Sequence, residues 1–186
     1  MKCEHMHNDS APFWVFGYGS LIWNPGFPYL GAQLGLLHGA HRSLSIISHH
    51  YRGTPERPGL VFGLVRGGSC RGMAFEVAAS DWPDVLAYLH ERELVTSVYR
   101  DVMRPVSLAD GRRVSALAYV VDESHSQFAG LLSLEQQVEM VRSGHGIAGP
   151  NIDYVLNTAR HLAQLGIRDR TLMALARALE ASDQAA

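Results

Sequence analysis

The stretch FWVFGYGSLIW, Phe13 to Trp23, begins as an alternating apolar strand. It passes through Gly17-Tyr18-Gly19-Ser20 and becomes apolar again. Further runs rich in Val, Leu, Phe and Tyr follow, bounded by turn-forming residues. Together they predict strands over Trp14–Tyr18, Ser43–His50, Leu60–Val65, Arg71–Val77, Ser97–Val106 and Arg113–Val121. The boundaries are Arg52-Gly53-Thr54-Pro55, Gly67-Gly68-Ser69 and Asp110-Gly111, the last a good hairpin signal.

The apolar period then changes from two to 3.6. Ser80 or Asp81 can cap a helix with Pro83 in its first turn and the body DVLAYLHERE. Ser133-Leu134-Glu135-Gln136 reads as a capping box ahead of Val138 and Val141. Ile152, Val155, Leu156, Ala159 and Leu162 form one stripe, ended by Gly166. Asp169 can cap a last helix carrying Leu172, Leu175 and Leu179, after which the tail ALEASDQAA reads as loose. The expected fold is α+β: a mixed, mostly antiparallel β-barrel or sheet with surrounding helices. One domain is expected over 13–180, preceded by a frayed or disordered segment, 1–12.

Composition narrows the function classes. The chain has 186 residues, 47% of them hydrophobic, which suits one globular core. A formal charge of −2 is not the basic balance of a dedicated nucleic-acid binder. Two cysteines, Cys3 and Cys70, cannot form a disulfide framework and read as reduced thiols. No apolar run is long enough to span a membrane, and the first dozen residues lack the apolar centre of a signal peptide. A cytoplasmic location and a small neutral or zwitterionic partner are therefore expected, with neither nucleic acid nor membrane. Nothing in the pattern specifies an oligomer.

Three features compete as chemistry. Glycines 17 and 19 tolerate positive φ and let a ligand approach the backbone. Consecutive N–H groups there can form an anion-binding nest, to which Ser20 adds a hydroxyl. A bulge or tight turn at a strand end explains the same residues. The second feature is Glu93. Leu86, Leu89 and Glu93 share one helical face, whereas Glu91 points nearly opposite. A carboxyl aimed at the core from a helix C-terminus meets both apolar surroundings and the negative end of the dipole. Both raise its pKa above the usual ~4.3, as a general base or acid near neutrality requires. Pairing with a buried arginine, or an early helix end, is the alternative. The third feature is the ten histidines. None has metal-ligand spacing with supporting carboxylates, and His49 and His50 on a strand would face opposite sides. Surface or loop positions fit them better.

WVFGYGSLIWNPGFPY resembles the N-terminal signature of the γ-glutamylcyclotransferases, and more narrowly of the ChaC-like, glutathione-specific branch. HRSLSIISHHYRGTPERPGLVFGLVRGGSCRGMAFEV is similar to that branch's central strands. YLHERE resembles the segment bearing its catalytic glutamate, which falls on Glu93. Gly149-Pro150-Asn151-Ile152-Asp153-Tyr154 resembles a late helix start with a substrate-side tyrosine.

The resemblance implies an enzyme that cyclises a γ-glutamyl group to 5-oxoproline and, from glutathione, releases cysteinylglycine. It implies no cofactor, metal or nucleotide. It assigns Glu93 as catalytic base and then acid, and Gly17, Tyr18, Gly19, Ser20, Leu21, Ile22 and Tyr154 to substrate binding. Two alternatives stand beside it: a cyclotransferase for other γ-glutamyl peptides or amines, and a non-catalytic γ-glutamyl-binding module. The core-facing carboxyl argues against the binding module, because such a group is costly to keep.

Overall fold

The computed structural model describes residues 11–94 and 96–183. Apart from residues 11 and 12, the segment expected to be frayed lies outside the described residues, as does Cys3. Five strands close a barrel: β1 (Phe13–Gly17), β2 (Gly31–Ser48), β3 (Gly59–Val77), β4 (Tyr99–Leu108) and β5 (Arg113–Val121). Their order is β1-β3-β2-β4-β5, with every neighbouring pair antiparallel. Closure comes from parallel bridges of β5 to β1, at Val15 and Leu117, and to β3, at Leu64 and Val120. Helix α1 (Trp82–Glu93) links β3 to β4. Helices α2 (Leu134–Ser143), α3 (Asn151–Gln164) and α4 (Arg170–Asp183) follow the barrel. The expected α+β barrel is therefore what the chain forms.

The strand boundaries differ from expectation in an instructive way. β2 begins at Gly31, twelve residues before the expected Ser43, and ends at Ser48 rather than His50. The two strands expected over Leu60–Val65 and Arg71–Val77 are one strand, β3. Gly67 and Gly68 do have the positive φ of turn residues, +95° and +70°. They serve a bulge, in which His38 pairs with Ser69 and Ala40 with Arg66. Two residues of β3 thus oppose the single Gly39 of β2, which bends the long hairpin without ending it. The last helix also extends further than expected. Residues 178–183 of the supposedly loose tail are helical, anchored by Leu179, which is fully buried.

Period-two alternation gives the short β1 two jobs. Val15 and Phe16 are both fully buried but belong to different clusters. Phe16 joins the cluster that also contains Leu37, Leu60, Leu64 and Val106. Val15 joins Leu117, Val85 and Leu89 beneath α1. A helix of 12 residues is marginal alone. Burial of Val85 and Leu89, each worth about 1.5–3 kcal/mol, fixes α1 on the barrel. Asp81 sits at its N-cap without a side-chain cap bond, and Pro83 lies in the first turn. The capping box at Ser133 and Gln136 forms as expected, and Asp169 caps α4 through the Leu172 N–H.

One seam of the barrel is incomplete, and this positions the site. β3 bridges β5 at Leu64 only. Two residues earlier, the Phe62 N–H donates to the Tyr154 hydroxyl (3.1 Å) and its carbonyl accepts from the Tyr99 hydroxyl (2.8 Å). Two residues earlier again, the Asn151 amide takes the place of a strand. Its Oδ1 accepts from the Leu60 N–H and its Nδ2 donates to the Leu60 carbonyl, both at 2.7 Å. Side chains thus satisfy backbone groups that a neighbouring strand would otherwise pair.

Asn151→Ala removes both partners of Leu60 at a fully buried position. Each orphaned buried group costs about 1–3 kcal/mol, so urea unfolding should show a loss of about 2 kcal/mol or more. An unchanged unfolding midpoint would contradict this account of the seam.

Candidate active site

Where the seam opens, a cavity of about 410 Å³ forms. That volume suits a small-molecule site. Tyr18, Gly19, Ser20 and Leu21 line one part of its wall, with Arg92 and Glu93 from α1. Tyr99, Tyr119 and Tyr154 come from β4, β5 and α3, and Arg52 from the segment after β2. The loop residues, Glu93 and Tyr154, far apart in sequence, therefore meet in one cavity. Gly17 and Ile22 do not line it: Gly17 stays in β1 opposite Met73, and Ile22 packs on the core. His49 and His50 follow the end of β2, are exposed, and also contribute to the lining.

The Gly-Tyr-Gly-Ser break is a tight turn at the strand end, one of the two forms expected, although it does not use the left-handed freedom of glycine. Neither Gly17 nor Gly19 has positive φ. After β1 the chain turns through Gly19 into a single 3-10 turn, Ser20–Ile22. The turn is closed by hydrogen bonds from Ile22 N–H to the Gly19 carbonyl and from Asn24 N–H to the Ser20 carbonyl. The N–H groups of Gly19, Ser20 and Leu21 have no hydrogen-bond partner among the described residues. At position 19 the side-chain direction points into the cavity. A Cβ there would make an ordinary contact of 3.5 Å with the Tyr154 hydroxyl, and a longer side chain would reach further into the cavity. The Tyr18 carbonyl is held by Arg42 Nε (2.6 Å), whose Nη1 also pairs with Asp169 at 3.0 Å. This fixes the strand end against the start of α4.

Glu93 is the last residue of α1, on the face expected, while Glu91 is exposed. Its side chain is 18% exposed and its Oε1 lies 3.3 Å from Arg92 Nε. Burial and arginine pairing, alternatives in the sequence, are both present. Burial dominates and raises the carboxyl pKa above its ordinary value, and Arg92 partly opposes it. A carboxyl shifted in this direction accepts a proton more readily than an ordinary one and can return it.

Arg92 is a residue that the apolar pattern did not single out. Its Nη2 donates to Ser20 Oγ (2.9 Å). Its Nη1 donates to the Asn24 carbonyl (2.7 Å) and the Tyr88 hydroxyl (2.9 Å). One guanidinium thereby ties the glycine loop to the turn that carries Glu93. The i, i+4 spacing of Tyr88 and Arg92 was visible in sequence; the contact with Ser20, 72 positions away, was not.

Four tyrosines complete the surroundings of Glu93. The charge of Glu93 adds to burial in raising the pKa of Tyr18, Tyr99, Tyr119 and Tyr154, the last to about 12. All four therefore remain neutral hydroxyls at physiological pH. Among the described residues no three His, Cys, Asp or Glu side chains gather as metal ligands. None of the helices there is long and apolar enough to cross a membrane.

Comparison with known proteins places this geometry in a family. The profile of the family described as ChaC-like protein matches residues 13–182. The glutathione-specific gamma-glutamylcyclotransferase of Escherichia coli K12 is 30% identical over 161 residues, covering 87% of this chain and 70% of that protein. Glutathione-specific gamma-glutamylcyclotransferase 1 of Danio rerio is 32% identical over 168 residues, covering 87% and 85%. A crystal structure of a gamma-glutamyl cyclotransferase specific to glutathione from yeast superposes with a TM-score of 0.84 at 22% identity. It covers 92% of this chain and 96% of the yeast chain, which establishes a common fold. On the profile match over residues 13–182 and on relatives at 30–32% identity matched over 70–85% of their own length, the chain belongs to the ChaC-like family.

Proposed function

We propose that the protein is a glutathione-specific γ-glutamylcyclotransferase acting in the cytoplasm, where glutathione is abundant. The observation that carries this reading is the half-buried Glu93 carboxyl in the same cavity as the Tyr18–Leu21 loop. The relatives' printed activity supports it.

The reaction needs a base before anything else, because an α-ammonium is not a nucleophile. Glu93 takes a proton from the α-ammonium, and the amine so freed attacks its own γ-carbonyl carbon. A C–N bond forms and closes the five-membered ring, giving a tetrahedral centre. As the original amide C–N bond breaks, Glu93 returns its proton to the departing nitrogen, and the extra proton on the ring nitrogen passes to the released amine, which leaves as an ammonium. The products are 5-oxoproline and cysteinylglycine. One carboxyl serves both steps, and its raised pKa suits the exchange.

The loop supplies electrostatics and shape. Backbone N–H groups at Gly19, Ser20 and Leu21 oppose the charge that builds on the tetrahedral oxygen. Tyr154 accepts a hydrogen bond from Phe62 and has its own proton left to donate to the glutamyl carboxylate. Ring closure is intramolecular, so folding the substrate into the reactive pose is a large part of catalysis. Positioning of this kind can lower a barrier by roughly 7–11 kcal/mol. Arg92 keeps loop and carboxyl in register.

Glu93→Gln should lower 5-oxoproline release from glutathione by about 100-fold or more while the protein stays folded. Near-normal turnover would remove Glu93 from the mechanism. Wild-type turnover of γ-glutamyl-alanine at the rate of glutathione would make the enzyme a general γ-glutamyl cyclotransferase.

The pKa shift makes two further predictions. The kcat/KM profile should rise with pH through a group above the ordinary carboxylate value of ~4.3. Folding stability should carry the opposite sign. The native state binds the Glu93 proton more tightly than the unfolded chain, so stability falls as pH rises from the unfolded to the folded pKa. Glu93→Gln should therefore melt higher than wild type at pH 7–8, and the advantage should vanish towards pH 4. Thermal melts across this range would show it; a variant less stable at neutral pH would contradict it.

A further inference from the structure

Arg52 lies on the cavity wall and has no role in the chemistry derived above. Its guanidinium is held rigidly. Nη1 donates to the carbonyls of Ala148 and Pro150, and the carbon at its centre stands 5.2 Å from the Tyr154 ring centroid. Nε and Nη2 have no hydrogen-bond partner among the described residues. Burial lowers its pKa, with Tyr154 and Asp153 acting against that shift. Yet neither Asp153 nor any other described carboxylate forms an ion pair with it. A partly desolvated arginine with a clamped edge and an open one presents a fork to a carboxylate.

Its place relative to Glu93 matters as much. The Tyr154 hydroxyl feels both charges: Glu93 raises its pKa and Arg52 lowers it. The cation beside Glu93 is Arg92, not Arg52. Within one cavity, Glu93 sits with Arg92 and the glycine loop, whereas Arg52 lies over the Tyr154 ring, held by the 148–150 segment, and is not paired with Glu93. A γ-glutamyl tripeptide offers two such groups to recognise. Its amine and scissile carbonyl lie together, and a second carboxylate sits at the far end of the leaving group.

We propose that Arg52 forms a carboxylate subsite that binds the C-terminal carboxylate of the leaving peptide, so that the cavity selects γ-glutamyl peptides over γ-glutamylamines. This rests on the cyclotransferase reading and refines its substrate class. Arg52 is then a specificity residue, remote from bond formation. A clamp for the 148–150 segment alone would affect every substrate equally. A carboxylate subsite affects only those that carry the carboxylate.

The test compares glutathione with two neutral isosteres, one amidated at the glycyl carboxylate and one at the glutamyl α-carboxylate. Wild-type kcat/KM should fall about tenfold or more on the glycinamide, mainly through KM, as expected for loss of a charge-assisted hydrogen bond. Arg52→Gln should lose a similar factor on glutathione and nothing further on the glycinamide. Equal losses on all three substrates, or insensitivity of Arg52→Gln to the glutamyl α-amide alone, would overturn the proposal. Product inhibition of the wild-type enzyme gives an arm that needs no variant. Cysteinylglycine should inhibit about tenfold more strongly than cysteinylglycinamide, and equal inhibition would also overturn the proposal. If no γ-glutamyl compound yields 5-oxoproline, the cyclotransferase reading fails and this one with it. If glutathione turns over through Glu93 without discrimination at the glycyl end, only the subsite falls.

Discussion

A β-strand whose neighbour departs must find other partners for its backbone, and this constraint organises the molecule. β3 meets β5 at Leu64 and then parts from it. The backbone groups of Phe62 and Leu60 are left facing a gap. Tyr99, Tyr154 and Asn151 fill their hydrogen bonds from β4 and α3. The gap therefore persists as a cavity in place of a closed seam. Two of the three side chains that repair the edge also line the cavity. The edge repair and the cavity wall share the same atoms here, and the repair is needed because an unpaired buried amide or carbonyl costs more than the net gain of an ordinary hydrogen bond.

The second organising interaction is the guanidinium of Arg92. An unpaired carboxylate beneath a helix end would either neutralise or pull the helix away from the barrel. Arg92 limits that cost without abolishing it, and the carboxyl pKa stays high. The same cation holds Ser20 and the Asn24 carbonyl. The loop and the carboxyl are consequently referenced to one rigid group. Placing both on separate mobile segments would forfeit the geometric control on which intramolecular cyclisation depends.

Much of this was legible in the sequence, for local reasons. The capping box at Ser133, the stripe ending at Gly166 and the facing of Glu93 depend on residues within one or two helical turns. The start of β2 was missed because Gly31, Gly35 and Gly39 dilute its alternation. Gly67 and Gly68 were read as a turn because positive φ is a local property. Whether it reverses a strand or bulges it is decided by the partner strand, where Gly39 stands opposite. The site was half legible in the same sense. Glu93 and the glycine loop announce themselves by period and composition. The Arg92–Ser20 contact, the placing of Arg52 over Tyr154 and the Phe62 bracket are long-range products of barrel closure, and no local pattern encodes them.

The cavity walls differ in how they are made. The side proposed to react is built from backbone and a short loop pinned at several points: by Arg42 at the Tyr18 carbonyl and by Arg92 at Ser20. Another part of the wall is built from the segment after β2 and the segment leading into α3. These are joined by hydrogen bonds from Ile147 N–H to the His50 carbonyl and from Ala148 N–H to the Tyr51 carbonyl. Barrel strands fix the first to the core, whereas the second is a loop-to-loop junction outside the main sheet. Loops carry variation more cheaply than strands do. A shared cyclisation chemistry with different leaving groups is thus most readily accommodated by change at the His50–Arg52 and Ala148–Pro150 junction, with the loop and carboxyl left in place.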